Sequence, residues 1–149
     1  GHARDYVEMQ WRMLQKDSPA DYVIATGRQE SVRKFVELST KALGWGNGNN
    51  HSGIIWEGEG INEIGRRADN GKVVIKIDPR YFRPCEVETL LGDPSKASRE
   101  LGWNATTTLE ELVNEMIKED LSLAKQELLI LKKGFDVNPP KENPPYFKD

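Results

Sequence analysis

From Ala3 to Lys16 the apolar residues Ala3, Val7, Trp11 and Leu14 recur at spacings of four and three, which predicts an amphipathic helix with that stripe as its apolar face. Asp17-Ser18-Pro19 stops it, because proline cannot continue the hydrogen-bond ladder and disfavours helix in the residue before it. Tyr22-Val23-Ile24-Ala25-Thr26, ending at Gly27, is short and mostly apolar and predicts a strand buried on both faces, as in a parallel sheet. Ser31 is placed to cap a second helix, with Phe35, Val36, Leu38, Ser39 and Ala42 as its apolar side and Gly44 at its end. The Gly- and Asn-rich stretch from Trp45 to Ser52 reads as a loop. Ile54-Ile55-Trp56 and Val73-Val74-Ile75-Lys76-Ile77 read as strands, and Gly58, Gly60 and Gly65 punctuate a polar segment between them whose pairing the pattern does not assign. Pro94 to Leu101 predicts a short helix. Thr108 and Glu111 form a capping box that opens a long helix with Leu112, Met116, Leu123 and Leu131 in its apolar set. Beyond Gly134 the prolines at 139, 140, 144 and 145 predict a loose tail.

Composition narrows the class. The chain has 149 residues, 37% hydrophobic and 30% charged, which is the length of one ordinary domain and polar for a self-sufficient globule. Its net charge is −3 with Lys and Arg scattered, so a nucleic-acid partner is not expected, because phosphate binding needs a basic stripe. The single cysteine, Cys85, excludes a disulfide within the chain and points to a cytoplasmic setting. No apolar run reaches the length of a membrane span. The start at Gly1-His2-Ala3, without methionine, reads as that of a fragment.

Candidate chemistry concentrates in Asp78-Pro79-Arg80-Tyr81-Phe82-Arg83-Pro84-Cys85-Glu86, directly after a predicted strand. A proline-fixed turn at a strand end is a rigid platform. Arg83 offers a planar fork suited to a diphosphate, and Glu86 offers two acceptors suited to a ribose diol. The plain alternative is a surface Arg–Glu pair, and spacing alone favours it. His2 and His51 have no partners at ligand spacing, so no metal site is expected. Ser31 and Thr108 read as caps rather than nucleophiles, Gly58-Glu59-Gly60 does not sit between a strand and a helix as a phosphate loop would, and Cys85 reads as a passive thiol. The tryptophans Trp11, Trp45, Trp56 and Trp103 read as packing residues.

Taken in order, Gly1-His2-Ala3-Arg4-Asp5-Tyr6-Val7, Asp21 through Gly27, Ser31-Val32-Arg33, Tyr81-Phe82-Arg83-Pro84 with Glu86-Val87, Leu91-Gly92-Asp93 and Leu101-Gly102-Trp103 resemble the pattern of GDP-mannose 4,6-dehydratases, which are extended short-chain dehydrogenases. The resemblance implies an incomplete α/β fold: residues 1–30 as the last helix and strand of a Rossmann domain, 31–134 as the smaller mixed α/β domain that grips the sugar nucleotide, and 135–149 as a Pro-rich tail. It implies that Arg83 contacts the GDP diphosphate and Glu86 the guanosine ribose, with GDP-mannose as substrate, NADP as cofactor and a homo-oligomeric parent. It also implies that the catalytic tyrosine–lysine pair, threonine and glutamate and the Gly-rich cofactor turn belong to an amino-terminal half outside this chain, which would then have no catalytic residue and no turnover of its own. The unpaired Tyr22–Thr26 strand would invite self-association. Asn104-Ala105, where the family carries a basic residue and proline, and the loop at Gly46–Asn50 depart from the pattern. Two other readings stand beside this one: another extended short-chain dehydrogenase acting on a sugar nucleotide (epimerase, reductase or decarboxylase), and a non-catalytic binding or assembly module.

Overall fold

Helix α1 spans Ala3–Leu14, and His2 caps it by accepting a 2.9 Å hydrogen bond from the amide of Arg4 at its Nδ1. The structure, a computed structural model, describes residues 1–49, 51–83 and 89–137. The chain divides into two compact units, Gly1–Ile117 and Lys118–Asp149.

The helix forms where the periodicity places it but buries a different face. Val7, Trp11 and Leu14 are exposed, whereas Met9 and Asp5 are buried and Tyr6 and Met13 pack beside them. The sequence contains two apolar rows at helical spacing, and tertiary partners choose between them. Met9 meets Ala97 and Trp103 in the principal core, with Tyr6, Met13, Tyr22, Ile24, Leu101 and Ala105 around it. The rings of Tyr6 and Trp103 lie 6.3 Å apart at 58°, a tilted arrangement favoured by aromatic quadrupoles. Ala105, one of the departures from the family pattern, thus sits against this core.

The Tyr22–Thr26 segment is in no strand ladder among the described residues, and Val23 is half exposed, so the expected strand buried on two faces is corrected. The three strands that do form pair with one another, and this segment joins neither edge of their sheet. It is held instead by α3, which spans Ser95–Leu101: the Tyr22 hydroxyl donates to Glu100 at 2.9 Å, and Lys96 Nζ donates to the Asp21 carbonyl at 2.9 Å while lying over the Tyr22 ring.

Helix α2, Val32–Ala42, starts at Ser31, whose hydroxyl accepts from the Lys34 amide at 3.1 Å, and the chain leaves it through Gly44 at φ 71°. Its buried residue is Thr40, with Phe35, Val36, Leu38 and Ser39 half-buried; Ala42, expected on the apolar side, is exposed. Thr40 Oγ1 lies 2.6 Å from the Ser52 carbonyl and so fastens the helix to the approach of the sheet.

The sheet is an antiparallel meander, β1 (Ile54–Glu57), β2 (Ile64–Arg67) and β3 (Val73–Lys76), with β2 in the centre. The outer strands match the sequence reading. The central one lies in the polar segment whose pairing the pattern did not assign, because Ile-Gly-Arg-Arg has no alternating β-formers. Its Gly65 is there for space: a Cβ would lie 2.7 Å from Ile54 Cδ1 and 3.0 Å from Ile75 Cβ. Arg66 and Arg67 are spared by partners, pairing with Glu57 at 2.8 Å and Asp69 at 2.6 Å, and Arg67 also stacks on Trp45 at 4.1 Å.

The last two helices follow their sequence signals. Asp93 accepts from the Ser95 amide at 2.9 Å at the start of α3, and Gly102, left-handed at φ 61°, ends it. Helix α4, Leu109–Lys132, opens on the capping box: the Thr108 amide donates to Glu111 at 2.8 Å and the Glu111 amide donates to Thr108 Oγ1 at 3.2 Å. Its buried residue is Val113; of the expected apolar set, Leu112 is half-buried and Met116, Leu123 and Leu131 are exposed. Gly134, at φ 80°, lets the Phe135 amide reach back to the Ile130 carbonyl at 3.2 Å and close the helix. The fold is a mixed α/β arrangement with a small three-stranded sheet. The Pro-rich tail from residue 138 lies outside the described residues.

Candidate functional site

Strand β3 delivers the chain to a braced turn. Asp78 Oδ1 accepts from the Arg80 amide at 2.9 Å, its Oδ2 pairs with Arg80 Nη2 at 2.6 Å, and the Tyr81 amide donates to the Asp78 carbonyl at 3.0 Å. Aspartate before proline favours this geometry, since its side chain replaces one backbone acceptor of the turn. The side-chain hydrogen bond from Arg80 and then that from its amide hold the Asp78 carboxyl below the usual carboxylate range. Arg80 also lies over the Tyr81 ring at 5.2 Å. The first part of the expected platform, Asp78 to Tyr81, is thus a turn braced by Asp78 and Arg80, and its second part, from residue 84, lies outside the described residues. The Asp-Pro-Arg order in the sequence is the signal for this brace.

Arg83 follows that turn. It is exposed and makes no hydrogen bond or ion pair with the described residues. Glu86, the other expected contact, lies outside the described residues, as does Cys85.

A cleft of about 240 Å³ forms elsewhere in the same unit, between Thr26, Arg28 and Glu30 on one side and Thr107, Thr108, Leu109, Glu110 and Leu112 on the other. Thr26 Oγ1 shapes its wall by accepting from the Arg28 amide at 3.2 Å. Arg28 shares the cleft with two glutamates, so this is not a concentrated positive site for a diphosphate. Arg83 lines neither this cleft nor the shallower ones beside Lys41 and Trp11.

Several of the remaining candidates have structural partners. His2 holds α1 to α4 through Glu115 at 3.3 Å, and Ser31 and Thr108 are caps. Among the described residues no three His, Cys, Asp or Glu side chains converge as a metal site would require. Gly58, at φ 80°, belongs to the tight β1–β2 connection, where a Cβ would lie 2.6 Å from the Asn62 carbonyl oxygen. Trp103 is core, Trp45 and Trp56 carry arginines on their faces, and Trp11 is exposed. No helix of the described residues is long and apolar enough to cross a membrane.

A sequence profile of the family described as GDP-mannose 4,6 dehydratase matches residues 1–116. The chain is 49% identical over 148 residues to a GDP-mannose 4,6-dehydratase of Yersinia enterocolitica and 52% identical over 142 residues to one of Vibrio cholerae. A human GDP-mannose 4,6 dehydratase is 46% identical over 125 residues. These alignments take in 93%, 92% and 84% of this chain, but the chain spans only 38%, 38% and 32% of those relatives.

Proposed function

The chain belongs to the GDP-mannose 4,6-dehydratase family, and from that premise we propose that it is the carboxyl-terminal, GDP-sugar-binding part of such an enzyme. The parent reaction is the NADP-dependent conversion of GDP-mannose to GDP-4-keto-6-deoxymannose on the route to GDP-fucose. The sugar is oxidised at C4, loses water across C5 and C6, and takes the hydride back at C6, so the cofactor is recycled. The parent is a cytoplasmic homo-oligomer of the extended short-chain dehydrogenase type, in which α1 and Tyr22–Thr26 close the Rossmann domain.

One observation supports the site assignment: Arg83, exposed and without an ion pair among the described residues, follows a turn that Asp78 and Arg80 brace at the end of β3. A braced turn removes backbone freedom before binding, so that only the side chain itself has to be ordered on a diphosphate, and its planar fork matches two phosphate oxygens. Glu86, three residues on, is the acceptor for the guanosine ribose in this reading.

The chain's own residues do not fit the rest of the reaction. No Gly-x-Gly-x-x-Gly turn occurs in the sequence to hold the NADP pyrophosphate, and neither Tyr6 nor Tyr22 has a lysine four residues later. Its contribution is binding and orientation of GDP, not proton or hydride transfer. The direct test is calorimetric titration of GDP-mannose into the complete enzyme and its Arg83→Ala variant. Weaker binding in the variant supports the site; unchanged affinity removes it.

A further inference from the structure

The second half of α4 carries an apolar seam that the family profile, ending at residue 116, does not reach. Leu121, Ala124, Leu128 and Leu131 follow one another at spacings of three, four and three, the repeat that keeps a stripe facing a second helix. All four are exposed, the three leucines by 40%, 51% and 56%. Isolated exposed leucines are ordinary, but a continuous row along a helix is not.

The flanks of this seam say what fits it. On one side stand Lys118, Lys125 and Lys132; on the other stand Asp120 and Glu127. None of these five side chains makes a hydrogen bond or ion pair among the described residues. In a parallel, in-register helix pair, each residue on one flank faces the opposite-flank residue of the partner five positions on. Asp120 then meets Lys125 of the other copy and Glu127 meets its Lys132, in both directions. In an antiparallel pair like flanks would meet, acid on acid and lysine on lysine, which is unfavourable.

We propose that this face pairs with the same face of a second copy of the chain, as a short parallel two-helix seam centred on Leu121, Ala124, Leu128 and Leu131. The pattern is self-complementary in both its apolar row and its charges. Leu123 and Ile130 are also exposed but lie on the far side of the acidic flank, outside the seam.

Sedimentation equilibrium of the 149-residue chain over about a hundredfold range of concentration tests this. Association is expected to weaken as salt rises, and to weaken by at least about tenfold in Leu128→Glu, which puts a charge into the seam. Ile130→Glu, outside the seam, is expected to leave it unchanged. The double variants Lys125→Glu/Lys132→Glu and Asp120→Lys/Glu127→Lys should each associate poorly alone and pair when mixed. A chain that stays monomeric at every concentration overturns the proposal. So do an equal loss in Ile130→Glu, association that strengthens with salt, and charge variants that fail to pair on mixing.

Discussion

The indole Nε1 of Trp103 donates a 2.8 Å hydrogen bond to the main-chain carbonyl of Asp5, across 98 residues of sequence. That carbonyl lies within α1, and the donor belongs to the segment that follows α3, so one bond fixes which face of α1 turns inward. The Asp5 side chain completes the joint by accepting from the Thr107 amide at 3.0 Å and from Thr106 Oγ1 at 3.4 Å.

Trp103 is nearly fully buried, and the joint should fail in two separable steps. Trp103→Phe keeps most of the ring volume and removes the donor, and is expected to cost ~1–3 kcal/mol. Trp103→Ala also opens a cavity, and is expected to cost ~3–5 kcal/mol. Urea unfolding followed by circular dichroism measures both. Equal losses for the two variants would show that the hydrogen bond, and not the packing, dominates.

Asp5 gives the chain an acid-sensitive element. Burial works to raise its pKa, but hydrogen bonds from Thr107 and Thr106, with a contribution from His2, outweigh it and leave the carboxyl below its ordinary value. A carboxyl lowered in the folded state stabilises the fold above its unfolded pKa of about 3.9, and that stabilisation fades as pH falls through the lower folded value. Asp5→Asn should therefore narrow its stability deficit against the parent chain as pH drops from about 6 towards 3. A deficit constant across that range would mean that the Asp5 charge contributes nothing.

Gly65 sets the thickness of the sheet. A side chain there would press on Ile54 and on Ile75 Cβ, the second of which cannot rotate away. Gly65→Val is expected to destabilise the first unit by ~1–3 kcal/mol despite valine's preference for strands. A neutral or stabilising result in thermal unfolding would contradict the packing described for β2.

Arg80 and Arg83 should separate as mount and ligand contact. In the complete enzyme Arg83→Ala is expected to weaken GDP-mannose binding by ~1.5–3 kcal/mol, the range for a lost hydrogen-bonded charge contact. Arg80→Lys keeps the charge but loses the fork on Asp78, and should give a smaller loss. The purified chain alone is expected to show no conversion of GDP-mannose by chromatography of the nucleotide sugars. Measurable turnover would reject the view that it only binds.

Local signals in this sequence were sufficient for local structure. Ser31, the Thr108–Glu111 box, Gly44, Gly102 and Gly134 bound their helices where residue chemistry placed them, because a cap is settled by atoms a few residues apart. The order of motifs from Gly1 to Trp103 was likewise enough to identify the family. The tertiary structure decided what depends on distant partners. Two apolar rows on α1 satisfy the same period, and the Trp103–Asp5 bond selects Met9 over Val7, Trp11 and Leu14. Ile64–Arg67 becomes a central strand because Ile54 and Ile75 close on a glycine from both sides, while Tyr22–Thr26, with the stronger strand composition, joins no ladder among the described residues. A strand is a property of two segments, and one segment's side chains can only propose it.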